Sequence, residues 1–176
     1  MIVFRYFKRM LTAFSSHPFY NKYVKLPSAT DPVPPEIRDD YRRYPFFKDA
    51  VGAIDGTHIN CSPMAQERAA SRNRKGLLTQ NCLIACSFDF LFTYVLSGWE
   101  GSAADAAIYN DARHTDFCIP AGKYYLADAG FASCDELLVP YRGVRYHLAE
   151  WARADLRSVY HILMLIMLNL ICGTTI

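Results

Sequence analysis

The stretch Val51-Gly-Ala-Ile-Asp-Gly-Thr-His-Ile59 constrains the fold more than any other, because it reads as a short apolar β-strand with one carboxylate, Asp55, set inside it. A buried carboxylate without a partner is costly, so such a residue binds a metal, meets a cation or is neutralised. Gly56 follows directly and removes the side chain that would crowd a phosphate or ion approaching Asp55. The alternative is a strand-end Asp-Gly turn with a solvated carboxylate. Two further carboxylates in similar surroundings, Asp105 and Asp128, favour the first reading.

A chain of 176 residues has room for one domain with a substantial core, and 52% hydrophobic against 20% charged residues places it among globular proteins rather than disordered ones. Charge is unevenly spread: the first fifty residues are basic and the remainder mildly acidic. That pattern fits nucleic-acid contact near an acidic metal site, and equally an ordinary solvated surface. The six cysteines show no Cys-x-x-Cys and no His/Cys ligand spacing. They read as reduced packing residues of a nuclear or cytosolic protein, not as a zinc site. The segment Met1–Met10 mixes Arg5, Lys8 and Arg9 into its apolar run and offers no small-residue cleavage site, so it does not read as a signal peptide.

Along the chain, Val3, Phe7, Met10, Leu11 and Phe14 predict an amphipathic helix that packs on the domain. Prolines at 27, 32, 34 and 35 predict an extended connector, followed by a helical turn or two from Pro35. Gln80–Phe88 and Phe92–Gly98 form a predicted hairpin beside the first strand, and Ala103–Arg113 a helix. Ser102 is the expected N-cap of that helix, with Asp105 at its third position. Lys123–Phe131 supplies a strand ending at Asp128, Cys134–Val139 a further helical stretch, and Tyr141–Leu148 one more short strand. The order predicts a mixed sheet with helices against it, hence α/β. The run Val159–Cys172 is almost wholly apolar, but its fourteen residues fall short of the ~20 a helix needs to cross a bilayer. A buried helix is favoured over a tail anchor, and a membrane partner is not expected.

Asp55 and Asp128 each end an apolar β-type run and are each followed by glycine within two positions. If their strands are neighbours, the carboxylates stand side by side, and like charges that close cannot both ionise unless a cation joins them. A hard divalent ion, Mg²⁺ or Mn²⁺, is the natural solution and suits phosphodiester chemistry.

These residues also carry a family resemblance. Gly52-Ala-Ile-Asp-Gly-Thr-His58, Arg74-Lys-Gly76, Gln80-Asn81, Gly98-Trp-Glu-Gly-Ser102 with Asp105, and Tyr124-Tyr-Leu-Ala-Asp-Ala-Gly-Phe131 resemble successive blocks of the Harbinger-type DDE transposases and the nucleases derived from them. Pro140–Leu148 resembles the block that follows. The likeness spans roughly residues 44–150, after a helical remnant and Pro-rich connector over 1–43 that lacks a helix-turn-helix, and before an apolar tail over 151–176. It implies a ribonuclease-H-like α/β fold, incomplete on its C-terminal side, and metal-dependent cutting of DNA in the nucleus, with a separate DNA-binding protein as a further partner. Asp55 would be the first acidic ligand and Asp128 its direct partner. Asp105 would be a third ligand, a group behind the ligands, or a helix-start charge of local effect.

One departure stands out. After Trp151 the chain supplies Ala-Arg-Ala-Asp-Leu-Arg and then the apolar run, and the glutamate that the family carries on a later helix has no counterpart; Glu136 and Glu150 sit outside the matching motif. A frameshift, a misjoined intron or a degenerate copy would produce this, and activity is expected to be impaired. Without activity, the chain would be a DNA- or protein-binding fragment. Of the remaining candidates, Arg72, Arg74 and Lys75 are phosphate contacts or a solvated loop. His58 is a hydrogen-bonding rather than a ligating residue, and Trp99 a core residue rather than a base-stacking one.

Overall fold

The computed structural model describes residues 2–140. The strand expected over Tyr141–Leu148, the acid Glu150 and the apolar run Val159–Cys172 therefore lie outside the described residues. Among those described, no helix is long and apolar enough to cross a membrane.

Among the described residues there are four α-helices, a 3-10 turn at Ala65–Glu67 and five strands: α1 (Ile2–Ser15), α2 (Phe19–Tyr23), α3 (Pro35–Arg38), β1 (Ala50–Asn60), β2 (Thr79–Cys86), β3 (Phe92–Glu100), α4 (Asp105–Thr115), β4 (Tyr124–Leu126) and β5 (Leu137–Leu138). The strands form one sheet in the order β3-β2-β1-β4-β5. The β1–β2 and β2–β3 pairs are antiparallel, and β4 lies parallel to both β1 and β5. A short turn joins β2 to β3, whereas the parallel partner β4 is reached by a crossover that contains α4, as parallel pairing requires. This is the ribonuclease-H-like mixed sheet expected from the resemblance, with the longest strand, β1, at its centre.

Alternation along the strands divides the core in two. One face carries Ile54, Leu83, Ala85, Tyr125 and Ala127 under α4, which contributes Ile108, Tyr109 and Ala112. Phe117, just beyond α4, stacks on Tyr94 at 4.5 Å and Tyr125 at 5.4 Å between ring centroids. Burying an aromatic of that size stabilises the fold by roughly 1.5–3 kcal/mol. The other face carries Ala53, Cys86 and Leu126, covered by Ile37 of α3 and by Phe88. Being covered on both sides explains why β1 begins, and β2 ends, in an apolar run rather than in strict alternation.

Three local expectations change. The helix over residues 2–15 forms, but it buries no residue, and Val3, Phe7 and Met10 stay more than half exposed. Its observed packing is against α2, through Phe14 edge-on to Phe19 at 4.9 Å. Cys134–Val139 is not a helix: Leu137 and Leu138 pair with Tyr125 and Leu126 as β5. Six residues ending at a proline are too few to nucleate a stable helix, while a parallel edge next to β4 offers Leu137 complete burial. Nor is Ser102 an N-cap. Helix α4 starts at Asp105 after Ala104, with no side-chain cap, and Ser102 donates its backbone N–H to the Ala70 carbonyl in a turn.

Close approach at the centre of the sheet makes one glycine obligatory. A Cβ on Gly52 would lie 2.0 Å from the backbone oxygen of Cys86 and 3.1 Å from the Tyr125 ring. Gly52→Ala is expected to destabilise the domain by about 1–3 kcal/mol or more, since a backbone carbonyl cannot step aside as a flexible side chain can. Urea denaturation monitored by circular dichroism measures this, and an unchanged midpoint would contradict the packing described.

Candidate active site

Register brings Asp55 and Asp128 together. The last pair of the parallel β1–β4 ladder is Ala53 with Leu126, so each aspartate lies two residues beyond it, at the same edge. Alternation puts Asp55 on the face of Ala53, and Asp128, in the segment after β4, lies near enough for its charge to act on Asp55. The Gly130 amide donates to Asp128 Oδ1 at 2.8 Å and fixes the carboxylate in the turn that ends the strand.

Asp105 arrives from the opposite face. Ile54 and Gly56 face α4, and the Asp105 carboxylate at the first turn of that helix occupies the space that a side chain at 56 would need: a Cβ there would sit 1.9 Å from Asp105 Oδ1. Gly56 therefore leaves room for Asp105 itself rather than for an incoming phosphate. Asn81, fully buried on β2, donates through Nδ2 to Asp105 Oδ1 at 2.8 Å and to the Ala103 carbonyl at 3.1 Å. Its own Oδ1 has no partner among the described residues. Reading the sequence for chemistry passed over Asn81 as a role in its own right. The available signal was its parity: Asn81, Leu83 and Ala85 alternate onto one core face, which makes Asn81 a buried polar group in need of a partner.

Electrostatics single out Asp55. Burial, then the negative charge of Asp128 and, less strongly, that of Asp105, push its carboxyl up from 3.8 to about 7, against a lowering hydrogen bond from the Gly56 backbone. All the candidate donors are carboxylate oxygens, the chemistry that hard divalent cations select, and Mg²⁺ is commonly held by one or two carboxylates with retained waters. The Asp55–Asp128 pair fits that requirement. No group of three His, Cys, Asp or Glu side chains among the described residues is arranged to hold a metal ion.

The other candidates fall outside this centre. His58, on the α4-facing side and exposed, pairs through Nδ1 with Thr79 Oγ1 at 3.0 Å. Trp99 is half-buried and packs against the main core. Arg72 donates to the Gly76 carbonyl at 2.8 Å, and Asn73 Oδ1 accepts from the amides of Lys75 and Leu77, closing a tight turn that leaves Arg74 and Lys75 exposed at its tip. This loop follows the far end of β1, five strand residues beyond Asp55, or about 17 Å at the usual rise.

Comparison with known proteins gives a consistent picture. The family described as DDE superfamily endonuclease matches residues 54–163. The rat and mouse proteins named "Putative nuclease HARBI1" are each 26% identical over 107 residues, which is 59% of this chain and 31% of the relative. The chain thus spans about a third of the length of these curated relatives. No solved structure matches it significantly.

The raised proton affinity of Asp55 has a definite consequence for stability. Below 3.8 the group is neutral folded or unfolded and costs nothing; as pH rises towards 7, the folded chain holds a proton that the unfolded chain has released, and stability falls. Above about 7 the full cost is present, on the order of 4 kcal/mol. Asp55→Asn is therefore expected to raise the melting temperature of the metal-free protein at pH 8, with the gain shrinking towards pH 4. Thermal melts in chelator across that range test it, and a gain independent of pH would refute the assignment.

Proposed function

The chain belongs to the DDE superfamily endonucleases, and from that premise we propose that it cleaves DNA phosphodiester bonds at the Asp55–Asp128 pair with a divalent metal ion. The observation that carries this reading is the shared position of the two aspartates, each two residues past the Ala53–Leu126 pair on neighbouring parallel strands. Mg²⁺ or Mn²⁺, when bound, activates a water and neutralises charge at the leaving oxygen. Asp55 and Asp128 hold the cation, and the buried surroundings of Asp55 strengthen every charge interaction there. Arg74 and Lys75 contact the DNA backbone beyond the end of β1, with Arg72 bracing their loop. The nucleus is the compartment that supplies such a substrate, and a separate DNA-binding protein would direct the chain to its target.

Turnover is proposed to be impaired, because the motif after Trp151 contains no glutamate to complete the acidic set. The absence of a three-acid group among the described residues favours a second reading, a fragment that binds DNA or protein without cutting.

Nicking of supercoiled plasmid separates the two. Slow, Mg²⁺- or Mn²⁺-dependent nicking is expected, abolished by chelator and lowered at least about 100-fold, or about 2.7 kcal/mol of barrier, by Asp55→Asn or Asp128→Asn. Retention of plasmid without nicking would establish the binding-only reading. Equal nicking by wild type and both variants would eliminate the site.

A further inference from the structure

We infer that Asp105 is a positioning residue rather than a metal ligand: gripped by Asn81, its carboxylate braces the Gly56 backbone and so fixes the orientation of Asp55. This rests on the active-site reading above and assigns the third acidic candidate a different part in it.

Geometry carries the inference. Asp105 stands at the Gly56 side of β1, the α4 face shared with Ile54, whereas Asp55 follows Ala53 on the other face. What Asp105 touches is the Cα side of Gly56, the residue joined directly to Asp55, at a spot where any side chain would displace it. The partners of Asn81 fix its orientation. Both its contacts, the Ala103 carbonyl and Asp105 Oδ1, are acceptors, so the amide nitrogen must face them and both its hydrogens are used. One side chain on β2 thereby ties the segment leading into α4 and the first carboxylate of that helix to the middle of β1. A buried amide whose oxygen remains unpartnered among the described residues is retained where its nitrogen has such a task. The arrangement needs an acceptor of carboxylate shape at position 105 but does not need its charge, and that difference is open to experiment.

The test compares Asp105→Asn, Asp105→Ala, Asn81→Ala and Gly56→Ala in the full chain. Mn²⁺ affinity is read by electron paramagnetic resonance, and the backbone amide resonances of Asp55 and Gly56 are read in the metal-free state. Asp105→Asn preserves shape and acceptor, and it is expected to keep Mn²⁺ affinity within about threefold and the two amides near their wild-type positions. Asp105→Ala, Asn81→Ala and Gly56→Ala are each expected to weaken Mn²⁺ by about 10-fold or more and to move both amides. Combining Asn81→Ala with Asp105→Ala should add nothing further, because the two act as one unit. An Asp105→Asn protein that loses Mn²⁺ as completely as Asp55→Asn would make Asp105 a ligand and overturn the inference. Wild-type amide positions in the alanine variants would overturn it as well. A wild-type chain that takes up no Mn²⁺ would defeat the metal reading of the active site, while the metal-free amide comparison would still decide the role of Asp105. Should an alanine variant fail to fold, Asp105→Asn, which keeps the shape of the side chain and removes its charge, decides between ligand and brace alone.

Discussion

Repulsion between two carboxylates held at one edge of a parallel strand pair is the constraint on which the rest of this molecule turns. Asp55 and Asp128 are brought there by the β1–β4 ladder, and burial raises the cost of charging Asp55 until its proton is held to about pH 7. A fold selected only for stability would place an apolar residue at such a position. Retaining the acid makes sense if, as proposed, a cation completes the site, since the cost of charging Asp55 would then be offset by the ion.

Keeping that edge in register demands close packing through the middle of the sheet. Gly52 lets β1 pass the Cys86 carbonyl, and Gly56 receives the Asp105 carboxylate. One face of the sheet is packed by α3 and Phe88, the second by α4 and the aromatic cluster around Phe117, and both glycines of the Gly-Ala-Ile-Asp-Gly motif, two positions either side of Ile54, belong to the second. Asn81 links the second face to the start of α4, making the helix and the central strand a single mechanical unit.

Much of this was legible beforehand, and the exceptions share a cause. The hairpin, the long central strand and the helix after it follow from apolar runs and turn residues, which are local signals. The small failures were contests between local preference and tertiary opportunity. Leu137 joined an available strand edge instead of a helix, and Asp105 opened α4 without Ser102 as its cap. Helix α1 formed as its periodicity required, yet none of its residues is buried, because periodicity specifies a face and not what covers it.

By itself the sequence determined the kind of chemistry: which acids are embedded in apolar strands, their order, and their likeness to a nuclease family. Those are properties of residue type and spacing, written along the chain. Only the tertiary structure decided which acids share a face. Strand pairing aligned Asp128 with Asp55, and the period-two alternation of β1 turned Gly56, and with it Asp105, to the other side. Side-chain facing depends on register between segments 73 residues apart in number, and no local pattern encodes a register that forms only when distant strands meet.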